Sequence, residues 1–121
     1  MVNDTTYIMN YKRGMYGCHY KFDSYGNYII IESTNLKVPI NTINGRQTDK
    51  VYILYGHLDN VKIYYGQKIN KGDIIGNSGC SGNAARIEPY RFHIHIEASS
   101  FNNFIGKVRD VNPATILNTK Q

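Results

Sequence analysis

The chain has 121 residues, a formal net charge of +5, 11 glycines, 11 tyrosines and only 3 prolines. This length fits one domain with one modest core, so we expect residues 1–121 to form a single domain. The lysines and arginines are scattered without a basic run, so the net charge is only weak evidence for a nucleic-acid partner, and we expect none. No apolar run is long enough to cross a membrane.

The first half of the chain predicts two strands and a long hairpin connection. Residues 5–10 are a β-prone run, and residues 28–32 are a continuous apolar run, typical of a central strand covered on both faces. Residues 11–23 between them lack any period and predict a loop. Residues 34–50 are polar and contain Asn44-Gly45, a hairpin dipeptide.

The second half predicts further short strands. Residues 51–55 predict a strand that we expect to end at Gly56-His57-Leu58. Glycine there lets the backbone approach a neighbour closely. Residues 59–63 predict a helical or irregular crossing. Residues 65–76 alternate apolar and polar residues between glycines, which predicts short strands turning around a small barrel or sandwich.

Helices contribute little to the predicted fold. A short helix is expected over residues 113–117, because Asn112 is a good N-cap and Pro113 suits the first helical turn. The chain contains no amphipathic helix long enough to organise a core. The sequence therefore predicts an all-β fold with few short helices.

The run Phe-His-Ile-His-Ile-Glu that begins at Phe92 places two imidazoles two residues apart. In an extended chain His93, His95 and Glu97 share one face, while the isoleucines between them point to the other. A neutral imidazole is a common metal ligand and a good general base. The pair could therefore serve a metal site, although the same pattern also fits polar residues on a half-solvated strand.

Further motifs surround this strand in a fixed order. They are Tyr55-Gly56-His57-Leu58, the glycine-bounded run 66–76, the Ser-Gly-x-Ser-Gly loop 78–82, His93-Ile94-His95-Ile96-Glu97 and Val111-Asn112-Pro113. Together with the turn and strand over residues 25–31, this order resembles the lysostaphin-type zinc endopeptidases. The resemblance implies a compact antiparallel β domain, a sandwich or open barrel with a narrow groove over one sheet. It also implies a bacterial, extracellular or periplasmic protein that acts on the short peptides of peptidoglycan.

The resemblance implies roles for three histidines. His95 matches a zinc ligand, and His57 and His93 match the two histidines that flank the metal and assist the reaction. Zinc with three protein ligands and an open position lowers the pKa of its bound water to about 7. Flanking imidazoles can then move protons and stabilise the tetrahedral intermediate.

The resemblance leaves the zinc ligand set open. The family's other two ligands are a histidine and an aspartate in an HxxxD motif well upstream of the turn that Tyr25 begins here. The segment His19-Tyr20-Lys21-Phe22-Asp23 has the HxxxD spacing, but Asp23 is almost adjacent to Tyr25, which leaves no room for the strands that separate the two in the family. Either His19 and Asp23 complete the site, or the ligand segment is absent from this sequence.

Two functions follow from these alternatives. The chain is a Zn²⁺-dependent peptidase that hydrolyses peptidoglycan peptides, or it is a catalytically incomplete homologue without zinc. In the second case it would bind the cell wall or regulate another cell-wall enzyme. Neither function involves nucleic acid or a membrane.

Several other residues have two interpretations each. Glu97 could orient a histidine or form an ordinary salt bridge. Arg86 and Arg91 flank the His-x-His strand and could bind a substrate carboxylate or be surface charges. Cys18 and Cys80 could form one disulfide or remain free thiols.

Overall fold

The computed structural model describes residues 5–13, 25–70, 72–79, 94–101 and 108–116. These ranges contain seven strands and one 3₁₀ turn. They are β1 (Thr5–Lys12), β2 (Asn27–Thr34), β3 (Ile40–Asn41), β4 (Gln47–Thr48), β5 (Val51–Val61), β6 (Gly76–Ser78), β7 (His95–Ser99) and the 3₁₀ turn Pro113–Thr115. None of the helical structure in these ranges has the length and apolar character needed to cross a membrane.

The long strand β5 organises the main sheet. It pairs antiparallel with β2 along one edge. Its other edge is shared by β7, beside residues 52–56, and by β6, beside residues 58–61. β1 extends the sheet beyond β2, while β3 and β4 form a separate hairpin. The predicted all-β, antiparallel fold with few short helices is confirmed.

The central strands bury side chains on both faces of the sheet. Ile29 and Ile31 of β2 belong to the larger core. Ile30 points to the opposite face, where it packs with Tyr52 and Leu54 of β5. Full burial of a side chain of this size contributes about 1.5–3 kcal/mol. The interpretation of residues 28–32 as a central strand covered on both faces is therefore confirmed.

Strand β5 is longer than the sequence predicted. His57 has a φ of 60°, a left-handed conformation that interrupts the regular strand. Pairing nevertheless resumes at once, because Leu58 lies opposite Ser78 of β6, and the strand continues to Val61. The prediction of a helical or irregular crossing over residues 59–63 is wrong, since most of this segment completes β5.

The segment before β6 also differs from its prediction. Its described part, residues 65–70 and 72–75, contains no strand. It runs beside β1 through backbone hydrogen bonds to Thr6 and Ile8 and an isolated bridge between Lys68 and Tyr7. Gly66 and Gly72 have φ values of 76° and 95°. Such values are typical of tight turns, which glycine adopts without strain. The two glycines therefore form turns here and do not lie between short strands.

Two turn predictions agree with the structure. Gly45 has a φ of 89° and donates its N–H to the Thr42 carbonyl at 3.0 Å, closing the β3–β4 hairpin. The predicted C-terminal helix is a shorter 3₁₀ turn. Its predicted cap is present, because the Asn112 side chain accepts a hydrogen bond from Ala114 N at 3.0 Å.

Asp110 ties the end of β7 to the β3–β4 hairpin. Its Oδ1 accepts a hydrogen bond from Ser100 N at 2.8 Å, and its Oδ2 accepts one from Ser100 Oγ at 2.6 Å. Oδ2 also lies 3.2 Å from an Nη atom of Arg46. The Asp110 carbonyl accepts from Ile43 N at 2.7 Å. These contacts hold the chain beside β7 and thereby fix the place of the preceding residue, Arg109.

We expect Asp110→Asn to reduce the acid sensitivity of the fold. Burial alone would raise the pKa of Asp110, but its hydrogen bonds from Ser100 outweigh burial and lower the pKa. The stabilisation from such a carboxyl is present above its unfolded pKa, about 3.9, and is lost as pH falls through the folded pKa. Urea denaturation from about pH 5 to about pH 1 should show a larger loss of stability in the wild type than in the variant. Equal losses would show that Asp110 has no such role.

We expect Gly79→Ala to lower the free energy of unfolding by about 3 kcal/mol, the upper end of ordinary overpacking. A Cβ on Gly79 would lie 2.6 Å from the backbone nitrogen of Asp59 and 2.8 Å from its Cα. The matched control is Gly56→Ala, whose Cβ would meet Leu54 and Tyr25 at 3.5 Å, an ordinary contact. Urea denaturation near neutral pH measures both variants, and a similar loss in the two would refute the close approach at Gly79.

Candidate functional site

Two histidines meet where the partners of β5 change. His95, the first residue of β7, pairs with Gly56 of β5. The next residue on β5 is His57, which lies between the segment paired with β7 and the segment paired with β6. The ring centroids of His57 and His95 are 5.8 Å apart. The structure therefore brings together two of the three histidines singled out in the sequence.

The position of His57 is fixed by its backbone. Its left-handed φ of 60° occurs inside a strand, and its N–H donates to the Tyr25 carbonyl at 2.7 Å. The residue is only 4% exposed. A non-glycine residue in this conformation costs about 1–3 kcal/mol and is maintained only where the surrounding structure holds it, which is common at functional sites.

The predicted division of the His-x-His strand into two faces is confirmed for its described part. His95 and Glu97 lie on one face, and His95 Nε2 is 2.6 Å from Glu97 Oε2. Ile96 and Ala98 lie on the other face and pack into the larger core. The strand thus presents an imidazole and a carboxylate together.

Glu97 is the centre of a polar cluster. Its Oε2 accepts a hydrogen bond from the Tyr25 hydroxyl at 2.7 Å in addition to its contact with His95. Its Oε1 lies 2.8 Å from Arg109 Nε, but within the described ranges this oxygen has no hydrogen bond of normal geometry, so the contact is an ion pair. The Tyr25 ring lies against His95, with 5.6 Å between the ring centroids.

The protonation states follow from these contacts. Burial alone would raise the pKa of Glu97, but its contacts with Arg109, Tyr25 and His95 outweigh burial and lower it. Burial raises the pKa of Tyr25, so its hydroxyl remains a donor. An ionised carboxylate only accepts hydrogen bonds. Nε2 of His95 therefore carries the hydrogen, and a neutral His95 has its free lone pair on Nδ1.

This arrangement fits one ligand of a zinc site. A metal-binding histidine usually donates its other ring N–H to a carboxylate, as His95 does to Glu97. Within the described ranges no three histidine, cysteine, aspartate or glutamate side chains come together as a metal site. The other candidates from the sequence, His19, Asp23 and His93, lie outside the described residues.

Four more candidates from the sequence also lie outside the described residues. They are the two arginines considered for substrate binding, Arg86 and Arg91, and the two cysteines considered for a disulfide, Cys18 and Cys80.

Sequence reasoning missed two members of the cluster, Tyr25 and Arg109. Both reach Glu97 only through the folding of the sheet, and neither has a local pattern that marks it. The one available signal was Glu97 itself, because a carboxylate on an inward strand face needs a cation or hydrogen-bond donors nearby. That rule predicts that Glu97 has partners, but it does not predict which residues they are.

The cluster borders a groove along the edge of β7. The groove has a volume of about 480 Å³ and is lined by Ile43, His95, Ile96, Glu97, Ala98, Arg109, Val111, Asn112 and Pro113. A separate pocket of about 350 Å³ is lined by Leu36, Val38, Pro39, Ile40, Asn41, Thr115 and Ile116. This second pocket has no ionisable side chain in its lining. The groove beside His95 is therefore the better candidate for a reaction site.

Comparison with known proteins agrees with the site and the fold. The family model of peptidase family M23 matches residues 4–113, a range that includes all the strands that the structure describes and the whole His95 cluster. No curated protein and no solved structure gave a significant match. The family match confirms the resemblance to lysostaphin-type endopeptidases and supports a peptidase domain of the peptidoglycan-hydrolase type. The chain belongs to peptidase family M23.

Proposed function

We propose that this chain is a zinc endopeptidase domain that hydrolyses the short peptides of peptidoglycan in the extracellular or periplasmic space. The observation that carries the proposal is the pair of imidazoles, His57 and His95, 5.8 Å apart beside a buried carboxylate in a chain of peptidase family M23. The two histidines lie 38 residues apart in the sequence, and they come together because β5 pairs with β7.

His95 would bind the metal through Nδ1, since Glu97 occupies Nε2. His19 and Asp23 remain the sequence candidates for further ligands. Bound zinc would supply a water whose pKa is lowered to about 7. Glu97 accepts from His95 and from the Tyr25 hydroxyl, so it keeps the imidazole in one orientation.

His57 is suited to proton transfer. Its backbone is held by the Tyr25 carbonyl, and its burial shields it from bulk water. A fixed imidazole can take a proton from an attacking water and give it to the leaving amine, a role typically worth about 10²–10⁴-fold in rate. We assign the same kind of role to His93, the other flanking histidine.

The groove gives the substrate a place beside these groups. Ile43, Val111 and Pro113 provide apolar lining for the groove beside His95. A volume of about 480 Å³ is within the usual range for small ligands, so it can hold a short peptide segment.

The test is incubation of the purified protein with zinc and isolated peptidoglycan, followed by mass spectrometry of the released fragments. We expect new amino termini at defined peptide bonds, a stoichiometric metal content, and no cleavage after treatment with a chelator. Metal binding without cleavage of any peptide bond would overturn the proposed reaction.

The alternative, a non-hydrolytic module that binds the wall or regulates another cell-wall enzyme, uses the same groove. No feature of residues in the described ranges favours it over hydrolysis. The same experiment separates the two, because the alternative requires co-sedimentation with peptidoglycan and no new amino termini.

A further inference from the structure

The two oxygens of Glu97 have different partners. Oε2 receives the Tyr25 hydroxyl and His95 Nε2, at 2.7 and 2.6 Å, whereas Oε1 faces Arg109 Nε at 2.8 Å. The Glu97 side chain is 6% exposed. A carboxylate this buried needs a compensating cation, so its orientation depends on where that cation lies.

Arg109 supplies the cation that Glu97 needs, and it does so from a defined position. Its side chain is 49% exposed, so water screens this ion pair more than it would screen a fully buried one. Its place is fixed independently of Glu97, because the next residue, Asp110, is anchored by two hydrogen bonds from Ser100. Arg109 therefore presents a positioned charge to Oε1, and this leaves Oε2 directed at His95.

We propose that Arg109 is a positioning residue of the candidate metal site, which acts through Glu97 to hold His95 in the Nε2–H form with Nδ1 free for a ligand. The proposal rests on the proposed function insofar as it makes His95 a metal ligand. It assigns Arg109 no direct contact with metal or substrate.

The test compares three variants. Arg109→Met removes the charge while keeping an unbranched side chain of similar length, and Arg109→Lys keeps the charge with a different geometry. Arg46→Met is the matched control, because Arg46 is also 49% exposed and also pairs with a carboxylate, that of Asp110, which keeps both of its hydrogen bonds from Ser100 in this variant. Backbone amide spectra identify any variant that does not fold.

The first measurement is ¹⁵N NMR of the His95 side chain in the metal-free protein at mildly alkaline pH, where the two neutral tautomers have different nitrogen shifts. We expect the Nε2–H form in the wild type and in Arg46→Met, a mixture of tautomers in Arg109→Met, and partial recovery in Arg109→Lys. A wild-type His95 in the Nδ1–H form would overturn the proposal without any variant, as would an unchanged tautomer in folded Arg109→Met.

The second measurement is zinc affinity by calorimetry. Loss of a group that hydrogen-bonds a metal ligand lowers affinity by about 10-fold to 100-fold, and Arg109 acts through such a group, so we expect a loss of up to about 10-fold for Arg109→Met and none for Arg46→Met. Equal affinities in the two variants would refute the positioning role. The tautomer measurement uses neither metal nor substrate, so its outcome is independent of whether the chain hydrolyses peptidoglycan.

Discussion

Replacing His95 with alanine is expected to abolish zinc binding and peptidoglycan hydrolysis while leaving the domain folded. Loss of a ligand should cost more than loss of a partner that orients it, so zinc affinity should fall by more than about 100-fold. The fold should tolerate the change, because the His95 side chain is 42% exposed and contributes little to the core. Calorimetric zinc titration and mass spectrometry of peptidoglycan fragments measure the two losses.

The control for this variant is Ile94→Ala. Ile94 is the neighbouring residue, with a similar exposure of 44%, and it points away from Glu97. We expect it to bind zinc and cleave peptidoglycan as the wild type does. A His95→Ala protein that retained stoichiometric zinc would show that the metal is held elsewhere.

Replacing His57 with asparagine is expected to leave zinc affinity unchanged and to lower kcat by about 10²–10⁴-fold, the usual contribution of a general acid–base group. Asparagine suits this position because it tolerates the left-handed conformation better than most residues, and His57 has a φ of 60°. The backbone N–H that donates to the Tyr25 carbonyl remains. The variant therefore removes the imidazole with little change in the backbone.

Comparison with His95→Ala distinguishes a proton-transfer role for His57 from a metal-binding role. If His57 transfers protons, the His57→Asn variant keeps its zinc and loses activity, whereas the His95→Ala variant loses both. Loss of zinc from folded His57→Asn would instead make His57 a metal ligand. A thermal unfolding curve for each variant excludes a trivial loss of structure.

Much of the fold could be predicted because its signals are local. The isoleucine run of β2 has strand length, and the Asn44-Gly45 dipeptide marks the β3–β4 turn. The end of β5 could not be predicted this way. Gly56 and His57 predict a strand end, but pairing with β6, the next strand along the chain, continues β5 past the left-handed residue to Val61.

The part of the candidate site that lies on one strand, β7, could be predicted from the sequence. The two-residue spacing places His95 and Glu97 on the same face, and the structure shows the contact between them. The sequence left Glu97 open between orienting a histidine and an ordinary salt bridge, and the structure gives it both kinds of contact. Tyr25 and Arg109 come from distant segments, so their approach depends on tertiary structure that no local pattern encodes.

The central claim is that His95 binds zinc through Nδ1 in a peptidase site. Anomalous diffraction at the zinc absorption edge, from crystals of the zinc-treated protein, tests it most directly. We expect one strong peak about 2.0–2.1 Å from His95 Nδ1, with Glu97 still on Nε2. Crystals with no zinc peak at His95, or with zinc on Nε2 in place of Glu97, would contradict the account.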